Sequence, residues 1–466
     1  MVFNRIKKQI FATLSLLLIC SSCYDDTVIQ EETPKQQQTQ KINDWIYRTL
    51  ATYYYWNEEL PSSPLDYFSQ PIDFFNSLLS AKDRFSWIID SKQDNLDQLQ
   101  GIRKNYGFEY ILAYSDNEQS NLLGVVLYTH TGTYADTVGV KRGDIFLAIN
   151  NTRITVDNYN DLFELERADF LFHRHTNDSS FVKELKAEDL RINPIQISKI
   201  HDIENTKIGY ICYNQFISDN GDGSDKHRYD LLNCFENFQN KRINELVIDF
   251  RYNPGGLIEL GALFSSLIVP DTTQVAIKID YNSRLNELYH KQGLSSDLKF
   301  GSYPQSYIGN QLERVFIITG TSTASTSEAV INTLLPYMEV ILIGEKTYGK
   351  NYGSTMFMDH YNPDNLWVIQ PIILKMLNAH NQADYDNGFS PHHQFNEFSS
   401  PLVELGSLEE PLLNLSISII SHKHLINLQK KKASINSLIS LIEYNSIDKQ
   451  VQSLPMILME FSNETK

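Results

Sequence analysis

The spacing of apolar positions divides the chain into stretches with different periods. Ile42, Trp45, Ile46, Leu50 and Tyr54 recur at helical spacing, and Pro61 and Pro64 close that stretch. A second helix is expected over 71–79. The aromatic run Tyr53, Tyr54, Tyr55 and Trp56 reads as a packed helical face, so residues 41–90 are expected to form an N-terminal helical domain. Between 91 and 198 the runs shorten to β length. Tyr106-Gly107-Phe108-Glu109 is a glycine-containing loop entering a strand, and 124–128 is a strand. Residues 135–145 give a short helix and a tight turn at Gly143-Asp144, and 146–151 returns to a strand. From 199 onward, 246–250 and 315–319 are continuous apolar runs of strand length, each followed by a helical pattern. That is the signature of a sheet covered on both faces, and it sets an α/β region at 199–425. Residues 426–466 carry Lys430, Lys431 and Lys432 and form a C-terminal tail without an assigned role.

The N-terminus follows another logic. Arg5, Lys7 and Lys8 precede an apolar run over 10–19 that is too short to span a bilayer. Cys20-Ser21-Ser22-Cys23 follows. Small residues before a cysteine at this point resemble a bacterial lipoprotein cleavage site. Cleavage before Cys23 is expected, with 1–22 as signal peptide and Cys23 lipidated; cleavage before Cys20 would put bulky Ile19 at the cut. An ordinary signal peptide with incidental cysteines, or an uncleaved anchor, is the alternative. Residues 23–40 are polar and read as a tether. Asp25 and Asp26 resemble a surface-export signal of Bacteroides-like bacteria. The implied setting is the cell envelope, anchored to the outer membrane by lipid, periplasmic or surface-exposed.

A formal net charge of −17 argues against nucleic acid, whose binding relies on clustered Lys and Arg. Cys212 and Cys234 lie in apolar runs and read as buried thiols rather than a bridge or a metal site.

Three segments can carry chemistry. Ser325, in Thr323-Ala324-Ser325-Thr326-Ser327-Glu328, opens a helix after a strand, where unpaired amides and the helix dipole favour a developing oxyanion. Ser325-x-x-Glu328 is also a helix capping box, the plainer reading. Asp249-Phe250-Arg251-Tyr252-Asn253-Pro254-Gly255-Gly256 leaves a strand into a turn whose amides can face a ligand, or which is only a tight turn. Glu345-Lys346-Thr347-Tyr348-Gly349-Lys350 is a glycine-flanked loop after a third strand. His360, His380, His392 and His393 have no neighbouring motif and read as surface or core residues; no metal and no cofactor are expected.

In this order the segments resemble the C-terminal processing (tail-specific) serine peptidases, over roughly 41–420. Lys350 lies 25 residues after Ser325, as in that family. Trp45-Ile46-Tyr47, Tyr55-Trp56 and Asp83-Arg84-Phe85-Ser86-Trp87 look like the lipoprotein branch of Bacteroides-like bacteria, and 135–151 resembles a PDZ module. The resemblance implies a multidomain α+β/α/β architecture: N-terminal helical segment, PDZ-like β module at 91–198, and an α/β core of the ClpP/crotonase-like type at 199–425. It implies a serine-type endopeptidase with Ser325 as nucleophile and Lys350 as base. One amide of Gly255-Gly256 and that of Thr326 would form the oxyanion hole. Tyr106, Gly107 and Phe108 would hold the C-terminus of a protein or peptide substrate. Many relatives carry glutamine four residues after the lysine; here that position is Ser354, the candidate third member. The alternative is a non-catalytic peptide- or ligand-binding surface lipoprotein on the same scaffold.

Overall fold

The computed structural model of the chain describes residues 33–62, 65–90, 103–116, 118–190, 193–218, 223–421 and 442–447. Cys23, the expected signal peptide at 1–22 and most of the 426–466 tail lie outside them.

Helix α1 spans Pro34–Tyr53. Thr33 caps it in a capping box with Gln36, and Pro34 opens its first turn. Residues 34–40, expected as tether, are therefore helix: the cap signals outweigh the polar composition. Helix α2 spans Pro71–Leu78. Both helices bury Ile46, Leu50, Tyr54, Phe74 and Phe75 against Ile369 and Ile372, so the N-terminal segment packs on the later strands that carry them, in a cluster of its own. Strand β1 (Trp87–Asp90) follows.

A seven-stranded sheet comes next, with β2 (Phe108–Tyr114), β3 (Leu122–Thr129), β4 (Ile145–Ile149), β5 (Arg167–Arg174) and β6 (Ser179–Lys186) in that order. Helix α3 (Tyr159–Phe163) sits between β4 and β5 in sequence. The outer edge of β2 pairs with a strand from the other end of the chain, Ile442–Asn445. Part of the tail thus has a structural place.

The α/β sheet contains β7 (Ile195–Ile203), β8 (Thr206–Tyr213), β9 (Glu245–Asp249), β10 (Arg314–Thr319) and β11 (Glu339–Gly344), in that order. Strands β8 to β11 are parallel and almost wholly buried, which explains their unbroken apolar runs. Because β7 pairs with β8 from Ile195 onward, the boundary expected at 198 moves back: 195–198 belongs to the α/β sheet. Helices α4 (Lys226–Lys241), α5 (Ile258–Ser266) and α6 (Thr326–Leu334) cover one face through Leu231, Phe235, Leu263 and Val330. Strands β12 (Tyr352–Ser354), β13 (Trp367–Gln370) and β14 (Ile372–Leu377) follow; β13 pairs with β1 and β12 with β14. Helix α7 (Pro411–Ile420) completes the fold.

The β module is fused to the α/β sheet by one apolar cluster. It joins Ile111, Leu123 and Val125 to Tyr210, Val247 and Phe316, with Leu412 and Ile417 of α7. A buried ionic network crosses the same boundary. Arg142 Nη2 lies 2.8 Å from Glu397 Oε2, which also accepts the Tyr252 hydroxyl at 2.6 Å. Arg251 reaches Glu410 Oε1 and Asp249 Oδ2, each at 2.8 Å. Burial pushes the Glu410 carboxyl up, and Arg251 more than offsets this, holding it below its ordinary value of 4.5. Its contribution is therefore present above pH 4.5 and lost as pH falls further. Glu410→Ala leaves Arg251 its Asp249 partner but takes the 2.8 Å acceptor from Nη1, and we expect a loss of roughly 1–3 kcal/mol in urea unfolding at pH 7. A loss below about 1 kcal/mol would mean that water reaches Arg251.

Candidate active site

Strand β10 ends at Thr319, and the chain turns through 320–325 into α6. Ser325 sits at the turn with φ 64° and ψ −119°. A non-glycine residue is strained there, and such strain is held only where the surroundings over-determine it. They do so here. Thr323 Oγ1 donates to Phe250 O at 2.8 Å, Ala324 N to Asn253 O at 3.0 Å, and Ser327 Oγ to Asn253 O at 2.9 Å. Strand, sharp turn and helix together present the Ser325 hydroxyl at the C-terminal end of the parallel strands.

The Pro-Gly-Gly turn after β9 packs directly on this serine. Gly255 has φ 107°, and a Cβ placed on it would lie 2.8 Å from Ser325 Oγ. Only glycine fits. The Gly255 N–H donates to Asn253 Oδ1 at 2.9 Å, and Asn253 Nδ2 donates to Tyr213 O at 2.7 Å. Of the two glycine amides the sequence offers, Gly255's is thus engaged within the turn. Gly256 is tied to the helix start instead, its carbonyl accepting Thr326 Oγ1 at 2.6 Å.

Glu328 joins the backbones of the two candidate residues, Ser325 and Lys350. Fully buried on α6, its Oε2 accepts Ser325 N–H at 2.9 Å and Lys350 N–H at 2.8 Å. Its Oε1 accepts Gly349 N–H at 2.7 Å and Thr347 Oγ1 at 2.5 Å. One carboxyl oxygen therefore bridges the backbones at 325 and 350. Burial raises this carboxyl to about 7, although all four donors pull it down. Sequence shows Glu328 as a helix cap; its second role depends on the β11–β12 loop folding back.

Lys350 is 1% exposed. Burial lowers its ammonium to about 8 from 10.5, against the opposing charges of Asp83 and Glu328. Its Nζ lies 5.5 Å from the centre of the Phe85 ring. That ring belongs to 83–86, which is tightly fixed. Asp83 accepts the Tyr54 hydroxyl at 2.9 Å, and Arg84 Nη2 donates to Gly349 O at 2.7 Å. The N-terminal segment thus builds one wall of the lysine site, a role its sequence did not announce.

Ser354 is fully buried on β12 and accepts Gln370 Nε2 from β13 at 2.8 Å. A glutamine amide is thus present beside position 354, supplied from 16 residues further on. The expected carboxylate-binding loop differs from expectation. Tyr106 and Phe108 are core residues at 6% and 1% exposure, and the Gly107 and Phe108 amides both donate to Asn105 Oδ1, at 2.7 and 3.0 Å. A side-chain oxygen already occupies the place a terminal carboxylate would take. His360, His380, His392 and His393 are exposed, and Cys212 and Cys234 are free thiols. Among the described residues no cluster of His, Cys, Asp and Glu is arranged to hold a metal.

Residues 207–395 match the family model for Peptidase family S41, and residues 41–87 match that for the Peptidase S41 N-terminal domain. The carboxyl-terminal-processing protease of Picosynechococcus sp. is 26% identical over 253 residues, 52% of this chain and 54% of that protein. A carboxy-terminal processing protease of Bacillus subtilis is 22% identical over 292 residues, 61% of this chain and 55% of that one. The chain spans about half the length of these curated relatives. A crystal structure described as an S41 protease from Bacteroides fragilis superposes with a TM-score of 0.69 at 26% identity, covering 81% of this chain and 97% of that one.

Proposed function

The chain belongs to peptidase family S41, and from that premise we propose that it is a serine-type endopeptidase working through a Ser325–Lys350 dyad. The observation that carries the proposal is the buried Lys350, lowered to about 8 and bridged to Ser325 through Glu328. Neutral Lys350 takes the Ser325 hydroxyl proton as Oγ attacks the scissile carbonyl carbon. The resulting oxyanion is met by the Gly256 and Thr326 amides. Collapse breaks the C–N bond, and the lysine returns its proton to the leaving amine. Water, deprotonated by the same lysine, then hydrolyses the acyl-serine. Ser354, held by Gln370, is the third member and orients Lys350.

Substrates on this reading are protein segments delivered through the β module, and the enzyme is tethered to the outer membrane through Cys23. A fluorophosphonate probe should label the wild-type chain at Ser325, mapped by tryptic mass spectrometry. Labelling elsewhere, or none alongside measurable proteolysis, would refute the dyad. Acylation should be found on Cys23 at the N-terminus of the mature protein. Recovery of an unmodified chain in the soluble fraction would remove the anchor.

A further inference from the structure

The strand Ile442–Asn445 runs antiparallel to β2, with Tyr444 opposite Leu112 and Asn445 opposite Ile111. The pairing continues beyond it. Ser446 N–H donates to Tyr110 O at 3.0 Å, and Tyr110 N–H donates to Ser446 Oγ at 3.0 Å. Ser446 Oγ also donates to Glu109 Oε2 at 2.6 Å. The Tyr444 ring is 5.8 Å from Tyr110 on β2 and 5.9 Å from Tyr159 on α3. Ile447 is 1% exposed, in the cluster that fuses the module to the α/β sheet. An edge strand, an aromatic slot between strand and helix, and a buried apolar end make up the mode in which a sheet takes up an extended peptide.

We infer that the β2 edge, where a PDZ-like module is expected to take up peptide, has the chain's own segment 442–447 as its resident occupant, and that an incoming ligand is an extended internal segment which displaces it. The last part follows from charge. Fully buried Glu109, paired with His130 at 3.0 Å, faces the end of the segment and accepts a hydroxyl from Ser446. A free C-terminal carboxylate there would meet a buried carboxylate, and the Gly107 and Phe108 amides that would receive it are already used by Asn105. The site also reaches the nucleophile loop, since Asn445 Nδ2 donates to Ser322 Oγ at 3.0 Å, three residues before Ser325. The inference deepens the peptide-recognition part of the proposed function and is independent of the chemistry at Ser325.

The test is binding of a fluorescently labelled Ile-Glu-Tyr-Asn-Ser-Ile peptide, with an amidated C-terminus, to the full chain, read by anisotropy. Tyr444→Ala combined with Ser446→Pro removes the ring from the slot and the amide from the ladder, so the resident segment leaves. The double variant should bind the peptide at least about tenfold more tightly than wild type, because an intramolecular competitor at high effective concentration has been removed. A scrambled peptide should show no such gain, and the free-acid peptide should bind no better than the amide. Equal affinity for both proteins, no binding to either, or a tenfold preference for the free acid would overturn the inference. Hydrogen exchange on the unaltered chain is a second check that needs no variant: the amides of 110 and 446 should be protected together, and a large excess of peptide should release that of 446 while 110 stays protected. Protection of 446 unmoved by saturating peptide would equally overturn it. Binding and exchange are read without turnover, so they stand even if the Ser325–Lys350 dyad fails its own test.

Discussion

Ser325→Ala should lower cleavage of an unfolded protein substrate by at least about ten-thousand-fold, because in the proposed dyad nucleophile and base act as one unit. The fold should be nearly unchanged. Alanine at φ 64° carries much the same backbone strain as serine, and the turn is held by bonds from Thr323, Ala324 and Ser327 that the substitution leaves in place. The thermal midpoint should therefore correspond to a stability change within about 1 kcal/mol. Had Ser325 been only a helix cap, the pattern would reverse: stability would fall by roughly 0.5–2 kcal/mol and cleavage would persist. Residual turnover above a tenth of wild type, with normal folding, assigns the attack to another residue.

Lys350→Arg should be inactive as well, although the charge is kept, since a guanidinium cannot release its proton at a usable pH. In the wild type, activity should rise about tenfold per pH unit below the lysine's value and level off above about 8, where the neutral amine predominates. Stability carries the same signature. The folded value is lowered from 10.5 to about 8, so between those limits the unfolded chain binds the extra proton and stability rises with pH. Below about 8 the full cost of burying the ammonium is present, about 3 kcal/mol for a gap of this size. Lys350→Met should accordingly stabilise the protein at pH 7 while abolishing turnover, and the gain should shrink toward pH 10.5. Near-normal turnover in Lys350→Arg, or a Lys350→Met variant no more stable than wild type at pH 7, would make Lys350 a structural cation.

What the chain's sequence determined by itself is local in origin. The apolar runs at 246–250 and 315–319 need only their own composition to become buried parallel strands. The Asn253-Pro254-Gly255-Gly256 turn and the Ser325 turn follow directly on strand ends, so their residues are legible where they stand. Helix α1 shows the limit of composition even at this scale, since a cap at Thr33 extended it through residues that looked like tether. Tertiary structure decided everything that depends on distant segments meeting. Glu328 becomes a bridge only when the β11–β12 loop returns to α6, and Gln370 reaches Ser354 only across paired strands. The lowered value of Lys350 is set by burial, to which Phe85 of the N-terminal segment contributes one wall. The occupant of the β2 edge comes from 336 residues away, as the Tyr110–Ser446 bond records. No local period encodes such a pairing, because its free energy comes from apolar surface and backbone groups that share no neighbourhood in the chain.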